Sequence, residues 1–165
     1  MIWYILFGLS ADAQVPVASQ ERGTTVETER MGGNMGVGLA LGAPTGVTVH
    51  NWLDSWSSVH ATFGGNLGVP GDWKVAADYL IHFRPFSVEG DDYSVPIHIG
   101  AGFGLTSNAY DGVGDLLLGP RMIVGVNVQV RDLPIDLYVD TVPTLYIFET
   151  VTWSMDGQIG LRYYK

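Results

Sequence analysis

The chain has 165 residues, 22 of them Gly and none Cys, and a net charge of −9. Only 15% of its residues are charged, against roughly 25% in an ordinary soluble domain. The acidic balance speaks against nucleic acid as a partner, and the absence of cysteine excludes disulfide frameworks, thiolate zinc sites and thiol catalysis. Beyond the first few residues no apolar run approaches the roughly 18 needed for a membrane-spanning helix.

Residues 2–9 form a short apolar run, and Ala11-Asp12-Ala13 follows it. This order predicts a secretory signal peptide over 1–13, cleaved after Ala13. Residues 14–33 are polar and aperiodic, which predicts a flexible N-terminal segment. From residue 34 onward the period is two, as in strands with one apolar face. The first strand sets Met35, Val37, Leu39 and Leu41 against Gly36, Gly38, Ala40 and Gly42, and a turn follows at 42–46. The second sets Val47, Val49 and Leu53 against Thr48, His50 and Trp52. The third sets Val59, Ala61 and Phe63 against His60, Thr62 and Gly64. In the fourth, Trp73, Val75, Ala77, Tyr79, Ile81 and Phe83 oppose Lys74, Ala76, Asp78, Leu80 and His82.

An acidic loop over 84–92 leads to the fifth strand, where Tyr93 to Leu105 alternate with Ser94, Pro96, His98, Gly100, Gly102 and Gly104. Residues 106–119 read as the longest connection. In the sixth strand, Met122, Val124, Val126, Val128 and Val130 oppose Arg121, Ile123, Gly125, Asn127 and Gln129. In the seventh, Ile135, Leu137, Val139, Leu145 and Ile147 oppose Asp136, Tyr138, Asp140, Thr144 and Tyr146, with Pro143 predicting a bulge or bend. In the eighth, Trp153, Met155, Ile159, Leu161 and Tyr163 oppose Asp156, Gln158, Gly160, Arg162 and Tyr164.

All seven charged residues in these windows (Lys74, Asp78, Arg121, Asp136, Asp140, Asp156 and Arg162) fall on the small or polar parity, as do His50, His60, His82 and His98. A soluble sandwich or lipocalin-like barrel would turn that face to water. An outer-membrane barrel would turn it inward and give the apolar face to lipid. The glycine content of the polar face favours the second architecture: Gly gains nothing on a wet surface, but inside a narrow barrel it makes room for long side chains. Trp73, Phe83, Tyr93, Phe103, Trp153 and Tyr163 are expected near strand ends, where interfacial girdles belong. The expected fold is therefore all-β: an eight-stranded antiparallel up-and-down transmembrane β-barrel over 34–165, with a polar, plugged interior.

Two segments carry a resemblance. Gly38-Leu39-Ala40-Leu41-Gly42-Ala43-Pro44-Thr45-Gly46, followed by Trp52-Leu53-Asp54, and the ending Ile159-Gly160-Leu161-Arg162-Tyr163-Tyr164 resemble small bacterial eight-stranded outer-membrane barrels such as the OmpA membrane domain, OmpX and OmpW-type proteins. More narrowly, the two segments look like an uncharacterised family of short outer-membrane barrels. The resemblance implies a bacterial outer-membrane location, with outer-membrane lipid and the barrel-assembly machinery as partners.

The eleven charged and histidine residues form the candidate site, a luminal polar network whose ion pairs would seal the barrel. A narrow pore is the alternative. Four inward histidines admit a metal or proton site, but hydrogen-bonded structural roles are the expectation, so no metal or cofactor is assigned. Ser107-Asn108-Ala109 slightly resembles the serine segment of lipid A deacylases, yet Leu105 stands where those carry His. No catalytic residue follows, and a lipid-modifying enzyme is the least favoured reading. The acidic Gly-rich stretches at 89–92 and 111–115 do not match an EF-hand loop. If both termini face the periplasm, the connection 106–119 is the one long enough to offer a surface to an extracellular partner, through Tyr110, Asp111, Asp115, Leu116, Leu117 and Leu118.

Overall fold

The computed structural model describes residues 33–65, 71–83, 93–108, 115–130, 132–149 and 151–165. The expected signal peptide and nearly all of the N-terminal segment lie outside them. The described residues form strands β1 (Met35–Gly42), β2 (Thr45–Trp52), β3 (Ser57–Gly65), β4 (Trp73–Phe83), β5 (Tyr93–Ser94), β6 (Ile97–Asn108), β7 (Asp115–Val130), β8 (Ile135–Tyr146) and β9 (Thr152–Tyr164). All pairings are antiparallel: the ladders run β1–β2, β2–β3, β3–β4, β4–β6, β6–β7, β7–β8 and β8–β9, β5 pairs with β7, and β1 pairs with β9 to close the ring. Tyr93 faces Val130 and Ile97 faces Val126. β5 and β6 are thus one wall strand in one register, interrupted at Val95-Pro96, and the barrel is an eight-stranded antiparallel one. Among the described residues, closure pairs every strand longer than two residues on both sides, which protects strand edges from aggregation.

Short turns hold neighbouring strands in register. Between β1 and β2, Thr45 Oγ1 accepts from Gly42 N at 3.0 Å and donates to Gly42 O at 2.9 Å. Gly42 has φ of 131°, a conformation that side chains other than Gly rarely adopt. Between β2 and β3, Asp54 Oδ1 accepts from Trp56 N at 2.8 Å and Ser57 N at 2.7 Å, an Asx turn.

Three strand expectations are corrected. The connection read as 106–119 is shorter, because alternation continues through Leu116, Leu117 and Leu118, which face Ser107, Thr106 and Leu105 in the β6–β7 ladder. Pro120 accordingly sits inside β7. The bulge expected at Pro143 does not form: Arg121 faces Thr144 and Val124 faces Thr141, so the β7–β8 register is unchanged across it. Phe103 lies in the middle of β6 rather than near a strand end.

The two parities have opposite fates. Leu39, Leu41, Phe63, Phe103, Met122, Val139, Ile159 and their row-mates are exposed, whereas Thr48, His50, His98, Asn127, Asp136, Asp140 and Arg162 are buried. Among the described residues no outward-facing strand position is charged. Most exposed aromatics gather at the ends of the wall: Trp56, Phe83, Tyr93 and Tyr163 toward the termini, and Phe63, Phe148 and Trp153 toward the opposite end, with the half-buried Trp73 beside them, while Tyr79 and Phe103 lie between. From Trp73 to Phe83, and again from Trp153 to Tyr163, there are ten residue steps. At ~3.3 Å per residue and a tilt of ~40°, that spans about 25 Å along the axis, the height of the apolar band of membrane barrels.

Candidate functional site

The side chains turned inward fill the lumen in three tiers. At the end near the termini, donor and acceptor roles follow from one carboxylate. Tyr164 OH donates to Asp136 Oδ2 at 2.7 Å, so it accepts from His50 Nδ1 at 2.9 Å. The His50 proton is then on Nδ1, and Nε2 accepts from Ser58 Oγ at 2.9 Å. Ser58 Oγ in turn accepts from His82 Nε2 at 2.8 Å. One consistent assignment runs from His82 through Ser58, His50 and Tyr164 to Asp136. Beside it, His60 Nε2 lies 2.7 Å from Thr48 Oγ1 and 3.2 Å from Arg162 Nη2. A guanidinium only donates, so Nε2 is an acceptor there. Arg162 also packs its Cζ 3.7 Å from the Tyr138 ring centroid and lies 3.8 Å from Asp136 Oδ2.

The middle tier holds two pairs, each reaching across an intervening strand. Asp78 on β4 meets Arg121 Nε on β7 at 3.0 Å, over β6. His98 on β6 meets Asp140 on β8 at 2.7 Å, over β7, and Gln158 Nε2 donates to the other Asp140 oxygen at 3.1 Å. The residue passed over is Gly in both cases. Gly102 faces both Asp78 and Arg121, and Gly125 faces both His98 and Asp140. A Cβ on Gly102 would lie 2.4 Å from Asp78 Oδ1, and one on Gly125 2.2 Å from Asp140 Oδ1 and 2.7 Å from His98 Nε2. The glycines are the gaps through which the charged groups touch. Leu80, Ile123 and Val142 form a small apolar cluster inside the same lumen.

At the far end, Lys74 on β4 pairs with Asp156 on β9. Three wall strands separate β4 from β9 in either direction round the ring, so this pair crosses the full width of the lumen. Asp72, Thr106, Tyr146 and Ser154 join it around a hollow of about 150 Å³ at the mouth.

All eleven candidate residues are therefore inward-facing, but they do not make one site. The four imidazoles approach one another, with centroids 6.2 Å apart for His50–His60, 5.9 Å for His50–His82 and 5.3 Å for His82–His98. Each turns a ring nitrogen to a hydroxyl, guanidinium or carboxylate. Among the described residues no group of three or more His, Asp or Glu is arranged to hold a metal ion. Thr48, Ser58, Asn127, Gln158 and Tyr164 belong to the network although they carry no charge to mark them; inward parity is the signal that identifies them. Of the residues expected to form a partner loop, Leu116, Leu117 and Leu118 are in β7, with Leu116 and Leu118 outward and Leu117 buried. Asp115 opens that strand, and Tyr110 and Asp111 lie outside the described residues.

Tyr164 holds the end of the hydrogen-bond chain, so Tyr164→Phe removes a donor to Asp136 and an acceptor for His50. Leaving buried polar groups unmet costs about 1–3 kcal/mol. A urea titration of the refolded protein should show that loss, and an unchanged midpoint would mean the chain contributes nothing to stability.

No protein-family model and no curated protein matches this chain. Among solved structures, the chain is similar to the N-terminal β-barrel domain of Pseudomonas aeruginosa OprF, with a TM-score of 0.56 and 12% identity over 80% of this chain and 98% of that one. At that identity the likeness is one of fold, an eight-stranded antiparallel β-barrel.

Proposed function

We propose that this protein is a bacterial outer-membrane β-barrel with a sealed lumen, serving envelope structure or surface interaction rather than transport or catalysis. The observation that carries the location is the split of the wall. Outward strand positions are uncharged and mostly apolar, and aromatic residues flank them at both ends. Exposing that much contiguous apolar surface to water would be an aggregation hazard, whereas lipid would cover it. The fold likeness to the OprF barrel domain supports the same reading. Outer-membrane lipid and the barrel-assembly machinery are its proposed partners, and the connections away from the termini its proposed surface for an extracellular one.

The lumen-crossing Lys74–Asp156 pair and the two pairs beneath it support closure. Ser107 supports a structural role in the same region, since its Oγ accepts from Trp73 N and donates to Gly71 O, both at 3.4 Å. Planar-bilayer recording of the refolded protein tests the proposal. The expected trace is flat at the noise level; stepwise channel openings would replace the sealed barrel with the narrow pore.

A further inference from the structure

Pro120 and Pro143 stand outward in the middle of a closed barrel. Proline in a sheet normally keeps to edges or bulges, and this wall has no edge and no register shift at either residue. In an antiparallel ladder, alternate residues bond to the same neighbour. Ile147 N donates to Leu118 O at 3.0 Å, and Asn127 N donates to Pro96 O at 2.9 Å. Even-numbered residues of β7 therefore bond to β8, and odd-numbered ones to the other side. In that register Pro120 comes opposite Leu145, and Met122 opposite Pro143. Pro120 has no N–H for Leu145 O, and Pro143 has none for Met122 O. Both prolines weaken the same ladder, at two successive hydrogen-bonded pairs.

The outer wall is concave over this seam. A hollow of about 560 Å³ is lined by Ala101, Phe103, Met122, Leu145, Trp153 and the two prolines, with Gly102, Arg121 and Thr144 beneath them. Its size is that of a small-molecule pocket, roughly 300–1,000 Å³. Phe103 at 63% and Trp153 at 69% exposure are its most exposed rings. Every outward-facing residue in it is apolar, and the Arg121 guanidinium below is held by Asp78 at 3.0 Å, so the floor offers no free charge. The hollow runs from Trp153, in the aromatic belt away from the termini, toward Ala101 and Met122 at mid-wall.

We infer that this groove seats one acyl chain of a bilayer lipid, drawn from the leaflet at the end away from the termini. The inference rests on the membrane reading above. Continuity argues for the occupant: the groove opens onto the surface assigned to hydrocarbon, and its rim belongs to the interfacial belt. A second copy of the chain would need about 800 Å² per partner for a stable interface, and the strand faces around this hollow are convex rows of Val, Leu and Met. A flexible chain can fill the concavity and restore the van der Waals contacts that its lining lacks.

The test uses the full chain refolded into phosphatidylethanolamine–phosphatidylglycerol vesicles that contain a phospholipid with a diazirine in its acyl chain. After illumination, adducts are mapped by mass spectrometry. Adducts at 101–103, 120–122 and 143–145 are expected roughly tenfold above those at Val47, Val49 and Val59 on the opposite wall, formed by β2 and β3, an occupancy preference of about 1.4 kcal/mol. Ala101→Phe, which fills the hollow from outside, should lower them to the far-wall level while the heat-dependent gel shift of the folded barrel is kept. The wild-type map decides alone if that variant does not fold. Even labelling around the barrel, or a groove left unlabelled while the far wall is labelled, would overturn the inference. A chain that never enters the vesicles removes the membrane reading and the groove together, whereas an inserted chain labelled evenly removes the groove alone.

Discussion

Gly125→Val is expected to lower the stability of the folded barrel by about 3–5 kcal/mol, from overpacking, typically about 1–3 kcal/mol, together with the loss of a buried hydrogen bond to a carboxylate, about 1.5–3 kcal/mol. The side chain would enter the space where His98 Nε2 and Asp140 Oδ1 meet, and it would also press on Val139 O, 2.5 Å from the new Cβ. Asp140 then loses its imidazole partner and keeps Gln158 alone. Stabilities of native proteins are about 5–15 kcal/mol, so this single substitution would remove a large part of the total. Gly157→Val is the matched control. Gly157 is outward-facing, and the nearest atom to its added Cβ is 3.9 Å away, so the change should stay within about 0.5 kcal/mol. Urea unfolding followed by the gel mobility of unheated samples separates the two. Equal midpoints for both variants would mean that the inward glycines are not spacers for the network.

The difference between these two glycines marks where the sequence is legible and where it is not. Alternation is a local property, so the parity of every long strand, and with it the inward placement of Lys74, Asp78, Arg121 and the histidines, follows from reading along the chain. Which inward groups touch depends on the stagger between strands and on the width of the lumen, neither of which is local. Nothing in the spacing of Lys74 and Asp156 says that they meet across the barrel, or that Asp78 reaches Arg121 over a glycine. Proline misled for a related reason. Pro143 reads as a bulge or bend because prolines usually distort strands, yet here the register is unchanged across it. The uncharged members of the network were visible only as parity: Ser58 and Tyr164 connect His82 to Asp136 through hydroxyl groups, without any charge or motif to mark them.

The orientation of the wall is the claim from which location, closure and the acyl groove all follow. Val139 tests it best. It stands midway along β8, is 50% exposed, and is flanked across the ladders by Val126 and Ile159. A guanidinium placed there would sit at the centre of the apolar band, where Arg costs about 2–4 kcal/mol, falling to about 0–1 near the interfaces. Leu53 is equally exposed but lies in the β2–β3 connection, so Leu53→Arg supplies the rim control. The decisive measurement is the urea unfolding free energy of both variants in lipid vesicles. This account predicts a loss of about 2–4 kcal/mol for Val139→Arg, with Leu53→Arg close to wild type. If both variants stay within about 0.5 kcal/mol of wild type, as surface substitutions facing water do, and the protein remains dissolved without lipid or detergent, the apolar wall faces water and the membrane reading is wrong.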